Sequence, residues 1–86
     1  METLHYTKGS FTADSRDGET TISFGVAHSA NDQKPWSVMS HRMGASFWQQ
    51  ASRSYAYRGC AERVLRKIKA EYEARKDYKI VAECSE

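Results

Sequence analysis

The chain has 86 residues, of which 40% are apolar and 28% charged, and its net charge is +2. That length supports one domain, 1–86, with one core and no deep cleft between lobes. No apolar run is long enough to cross a membrane, and the opening Met-Glu-Thr-Leu-His-Tyr-Thr-Lys lacks the apolar centre of a secretion signal. A cytoplasmic protein is therefore expected. With Met at the start and neither tag nor linker, the chain reads as a complete small gene product.

Thr3 to Lys8 alternates, with Leu4 and Tyr6 on one side, and Phe11 to Ala13 continues the strand on the opposite parity. Gly9 lies between them, where a glycine marks a bulge that switches faces. Asp17-Gly18 is a hairpin turn signal. Folding the chain there pairs Ala13 with Ile22, Phe11 with Phe24 and Gly9 with Val26, so that Ile22, Phe24 and Val26 share a face with Phe11 and Ala13. Residues 29–35 are a loop by composition.

Residues 36–54 fit two patterns. As a helix, Trp36, Met39, Met43, Phe47 and Ala51 form one stripe. As strands, Trp36 to Val38 returns along the hairpin, Gly44 breaks the run, and a new strand starts at Phe47. The five serines of this stretch and Gly44 disfavour a helix. A third strand also gives a lone helix enough sheet to cover. Strands are expected.

Tyr57, Cys60, Ala61, Val64, Leu65, Ile68 and Tyr72 then fall on one face of a helix with a period of 3.6 residues. Ser54 is the N-cap candidate, but Gly59 weakens a first turn there by about 1 kcal/mol and moves the expected start toward Cys60. Tyr78 to Ala82 is rich in β-formers. The expected fold is α+β: a small antiparallel sheet of three to five strands, one long amphipathic helix packed across it, and a C-terminal strand.

Charge is uneven along the chain. Residues 1–57 carry five basic and five acidic side chains, whereas residues 58–79 carry eight basic and four acidic. The face of the helix opposite the apolar stripe holds Arg63, Arg66, Lys67, Lys69, Arg75 and Lys76. Such a face is either a solvated surface or a contact for phosphate or an acidic protein.

No catalytic set is visible. Cys60 and Cys84 fit no zinc or CxxC spacing. The helix descends and the last strand climbs back, which returns Cys84 to the height of Cys60. Parity with Ile80 turns Cys84 toward the helix, so the pair is either a disulfide or two buried thiols, the latter fitting a chain without a secretion signal. His5, His28 and His41 form no local metal half-site. The carboxylates sit at ion-pair spacing from arginines, and the five glycines form no phosphate loop. No cofactor or metal is expected.

Five of the ten aromatic residues lie between 36 and 57, interleaved with arginines. One core layer cannot bury them all, and Phe47 and Trp48 point apart in a strand. Trp, Tyr and Arg dominate protein-binding hot spots. The candidate partner surface is Trp48, Arg53, Tyr55, Arg58, Arg63, Arg66 and Lys67. The function expected is that of a small non-catalytic binding protein. A stoichiometric inhibitor or adaptor fits, of the kind that phages and mobile elements direct at host nucleic-acid enzymes or defence complexes such as CRISPR. The alternative is a nucleic-acid-binding protein that grips phosphate with the helix and stacks bases on its rings.

Overall fold

The computed structural model describes residues 3–30 and 33–84. Among these residues five strands and one helix follow one another: β1 (Thr3–Ser15), β2 (Thr21–Ser29), β3 (Trp36–Arg42), β4 (Gln49–Gln50), α1 (Arg58–Ala74) and β5 (Tyr78–Glu83). The strands form one antiparallel sheet in the order β4-β3-β2-β1-β5, and α1 lies across one face. This is the expected α+β arrangement, with residues 36–54 supplying strands. No helix among the described residues is long and apolar enough to cross a membrane.

The β1–β2 hairpin turns at Asp17-Gly18. Gly18 has φ 78°, and the Asp17 carboxylate accepts from the Ser15 hydroxyl and from the Glu19 N–H at 3.0 Å. These bonds hold the Asp17 carboxyl below its usual pKa, the Ser15 contact first. Ala13 pairs with Ile22 and Phe11 with Phe24, as the turn dictates, but Val26 pairs with Tyr6 rather than Gly9. Residues 7–10 of β1 stand against Gly25 alone, a larger bulge than a single glycine signals. Gly9 takes φ 78° within it. A Cβ on Gly25 would lie 3.3 Å from the Tyr6 carbonyl oxygen, so the bulge sits directly against that glycine.

The bulge lets Tyr6, Phe11 and Ala13 all face α1 despite their mixed parity. The core comprises Phe11, Ala13, Phe24, Val26 and Val38 from the sheet with Ala61 and Leu65 from the helix. Tyr72 closes one end, its ring 5.2 Å from Phe24 and 5.1 Å from Tyr78. Burial keeps the Tyr72 phenol protonated to higher pH than usual. Val64 and Ile68 only flank this core, because Ala61 and Leu65 occupy the centre of the buried stripe.

Three local expectations are corrected. The N-cap is Tyr57, with no side-chain cap bond, while the Ser54 hydroxyl accepts from Gln50 Nε2 at 3.2 Å. Tyr57 itself is 75% exposed and leaves the stripe at its first position. Ile80 pairs with Ala13 but Ala82 pairs with Thr12, so Val81 is an extra residue that reverses the parity of β5. Cys84 thus lies on the parity facing away from α1. Cys60 and Cys84 are free thiols, each half-buried.

A binding surface split between two faces

Alternation along the strands gives the sheet two unlike faces. One carries the core and α1. The other presents Ser23, Gly25 and Ala27 along β2, between His5 and Thr12 on β1 and Ser37 and His41 on β3. This strip of small side chains is where Trp48 lies. Its ring centroid is 4.6 Å from that of His5 and 5.3 Å from that of His41. His41 Nε2 also meets the Ala45 carbonyl at 3.0 Å, which ties the histidine to the turn preceding Trp48. A groove of ≈ 220 Å³ remains beside the tryptophan, lined by the hydroxyls of Thr7, Thr12 and Ser23.

The turn from Met43 to Trp48 joins β3 to β4, and Gly44 enters the left-handed region there at φ 93°. Phe47 and Trp48 lie on opposite faces although neither is within a strand: Trp48 meets His5 and His41, and Phe47 borders Ile22 and Ser40. Trp48 is 38% exposed under its histidine neighbours, whereas Phe47 is 80% exposed and Met43 72%. The bare aromatic of this segment is Phe47, on the same side of the sheet as α1. It borders a depression with Arg42 and Gln49.

The seven residues singled out from the sequence do not form one patch. Trp48 is on the face away from α1. Arg53 is exposed in the loop after β4. Tyr55 bridges to Trp36 through two backbone hydrogen bonds, of 3.0 and 2.6 Å, and packs against the core. Arg58 stacks its guanidinium over Tyr6 at 4.6 Å and over Trp36 at 5.6 Å, and donates to Glu62 at 3.1 Å. These contacts make Arg58 a cover for the core's edge. Arg63, Arg66 and Lys67 are exposed on α1, Arg66 on the flank toward Lys8 and Gly9. The sheet separates all three from Trp48.

Other polar groups serve the fold. Arg75 holds Asp77 through two hydrogen bonds, of 2.9 and 2.7 Å, and lies over the Tyr72 and Tyr78 rings. This cluster shapes the turn from α1 into β5. The Arg75 bond holds the Asp77 carboxyl below its ordinary pKa, and the same bond raises that of Arg75. Among the described residues, no group of three His, Cys, Asp or Glu side chains is placed to hold a metal ion. Sequence reasoning missed His5 and His41, which are far apart along the chain until the order β1-β2-β3 brings them together. The signal lay in β2, where three small residues of one parity leave room for a large ring.

Comparison with protein-family models, with curated proteins and with solved structures returned no match.

Proposed function

We propose that this protein acts by binding another protein, through the turn that carries Met43 and Phe47. One observation carries the reading: two large apolar side chains, 72% and 80% exposed, lie four residues apart on the turn that joins β3 to β4. Leaving such surface in water forgoes about 1.5–3 kcal/mol per side chain relative to full burial. A partner that covers both recovers that energy. The turn is anchored from behind by Trp48 between its histidines, so part of the ordering cost of binding is met in the free protein.

A stoichiometric inhibitor or adaptor works in this way, by occupying a partner rather than transforming it. Arg42 and Arg53 flank the turn in sequence and favour a partner surface that carries acidic groups around an apolar pocket. The nucleic-acid alternative draws on the exposed Arg63, Arg66 and Lys67. It needs rings and cations on one surface; among the described residues the largely exposed rings are Phe47 at 80% and Tyr57 at 75%, the latter at the start of α1.

The test is affinity capture from lysate of the source cell, with wild type and the Met43→Ala/Phe47→Ala pair as baits. The reading expects a protein retained by wild type and lost by the pair, with both baits folded by circular dichroism. Equal retention by both baits, or recovery of nucleic acid instead, rejects it.

A further inference from the structure

The outer edge of β1 is only half used. β5 pairs with Phe11–Ser15. Its last contacts are Gly9 N–H to the Cys84 carbonyl at 2.7 Å and Cys84 N–H to the Ser10 carbonyl at 2.8 Å. Beyond them, no strand among the described residues pairs with the outer side of residues 3–8. The inner side is held in register against β2 from Thr3↔Ser29 to Tyr6↔Val26. Six residues of open strand edge span about 20 Å.

Strand edges are usually blunted by brevity, charge or bulges. The outer edge of β4 is two residues long. That of β5 carries Lys79, Glu83 and the extra residue Val81. The β1 edge, Thr-Leu-His-Tyr-Thr-Lys, is long, free of proline and charged only at Lys8.

A notch of ≈ 260 Å³ opens at the end of this edge. It is lined by Lys8 and Gly9 of β1, by Leu65 and Arg66 of α1, and by Cys84 just after β5. The two carboxylates that line it are already engaged, Glu62 by Arg58 at 3.1 Å and Glu83 by Lys69 at 2.8 Å. Lys8 and Arg66 have no ion-pair partner among the described residues. The unmatched charge of the notch is therefore positive.

The geometry points to strand addition: an extended segment of a partner protein continues the line of β5 along residues 3–8. It carries an acidic side chain opposite Lys8 and apolar ones opposite Tyr6 and Leu4. The backbone edge supplies affinity, and the alternating side chains supply selectivity. An acidic group at the notch meets Lys8 across the strand pair and Arg66 from the helix. This site is separate from the Met43–Phe47 turn, since β2 and β3 lie between the two edges.

The probe is a blocked hexapeptide, Thr-Glu-Thr-Val-Thr-Leu, titrated into the isotope-labelled protein and followed by NMR and amide exchange. Shifts and new amide protection are expected at residues 3–8 and around Leu65 and Arg66. N-methylation of alternate peptide amides should abolish them. Lys8→Glu should weaken binding about threefold to tenfold, and a Glu-to-Lys peptide should regain the loss on that variant. Phe47→Ala should leave peptide affinity unchanged, which keeps failure here distinct from failure of the turn to bind its partner. Absence of shifts up to about 1 mM peptide, the weak end of measurable affinity, overturns the proposal. So do shifts confined to the Met43–Trp48 turn, or binding indifferent to N-methylation. A dimer in sedimentation with residues 3–8 already protected also overturns it, because a second copy then fills the edge.

Discussion

Leu65→Ala should be the most damaging single truncation on α1. Leu65 is 2% exposed and meets the sheet core formed by Phe11, Phe24, Val26 and Val38. Leucine-to-alanine changes at buried sites cost about 2.7–5.0 kcal/mol, rising with the volume of the void left behind. One wall of this void is Gly9, whose absent Cβ would lie 3.5 Å from Leu65 Cδ2. That side leads into the notch at the β1 edge. Water can enter there, which places the cost near the low end of the range, about 3 kcal/mol. A domain of this size has a total stability of about 4–13 kcal/mol, so the variant should lose a large share of it. The melting temperature should fall by about 12–24 °C, at about 4–8 °C per kcal/mol. The assay is urea and thermal unfolding followed by circular dichroism. Val64→Ala, on the flank of the core, is the control and should cost about 1 kcal/mol. Equal losses in the two variants, or an unchanged midpoint in Leu65→Ala, would refute the placement of the apolar stripe.

Phe47→Ala should change stability by less than about 0.5 kcal/mol, as expected of an exposed side chain, and should weaken the captured partner's binding by at least about 1–2 kcal/mol. Trp48→Ala should cost more stability than Phe47→Ala, because it strips the cover from His5 and His41; matching unfolding curves would contradict the stacked arrangement. Gly9→Ala should destabilise by about 1–2 kcal/mol, from its positive φ and not from a clash, and a Gly9→Asn variant should recover part of the loss. Asp77→Asn should change the acid limb of the stability profile. The folded-state pKa of Asp77 lies below the unfolded value near 3.8, so its stabilisation is complete above that value and lost as pH falls through the folded one. Wild type and variant should therefore differ at neutral pH and converge in strong acid, and a constant gap across pH 2–6 would contradict the Arg75 pairing. Cys60→Ser should leave partner inhibition intact if the protein works by occupancy; loss of activity in a folded variant would point to thiol chemistry.

Much of the fold was legible because independent signals agreed. Asp17-Gly18 and the parity of Phe11, Ala13, Ile22 and Phe24 specify the same register, and the 3.6-residue stripe of α1 needs the flat surface those strands provide. Bulges account for most of what was not legible. Gly9 signalled the change of face in β1 but not that four residues would stand opposite Gly25, and nothing in Tyr78–Glu83 marks Val81 as the extra residue that reverses parity after it. That reversal misplaced Cys84. The candidate site was harder still. Composition marked residues 36–57 as aromatic and basic, yet could not tell that Arg58 and Tyr55 finish the core's edge, or that Trp48 folds over β2 and leaves Phe47 bare. These outcomes depend on which side of a five-stranded sheet each ring meets.

If the Met43–Phe47 turn contacts a protein partner, hydrogen exchange on the captured complex, compared with the free protein, should slow across residues 43–50 and stay unchanged along the outer side of α1. Slowing confined to residues 58–70, with the turn exchanging as in the free protein, would contradict it and place the contact on Arg63, Arg66 and Lys67 instead.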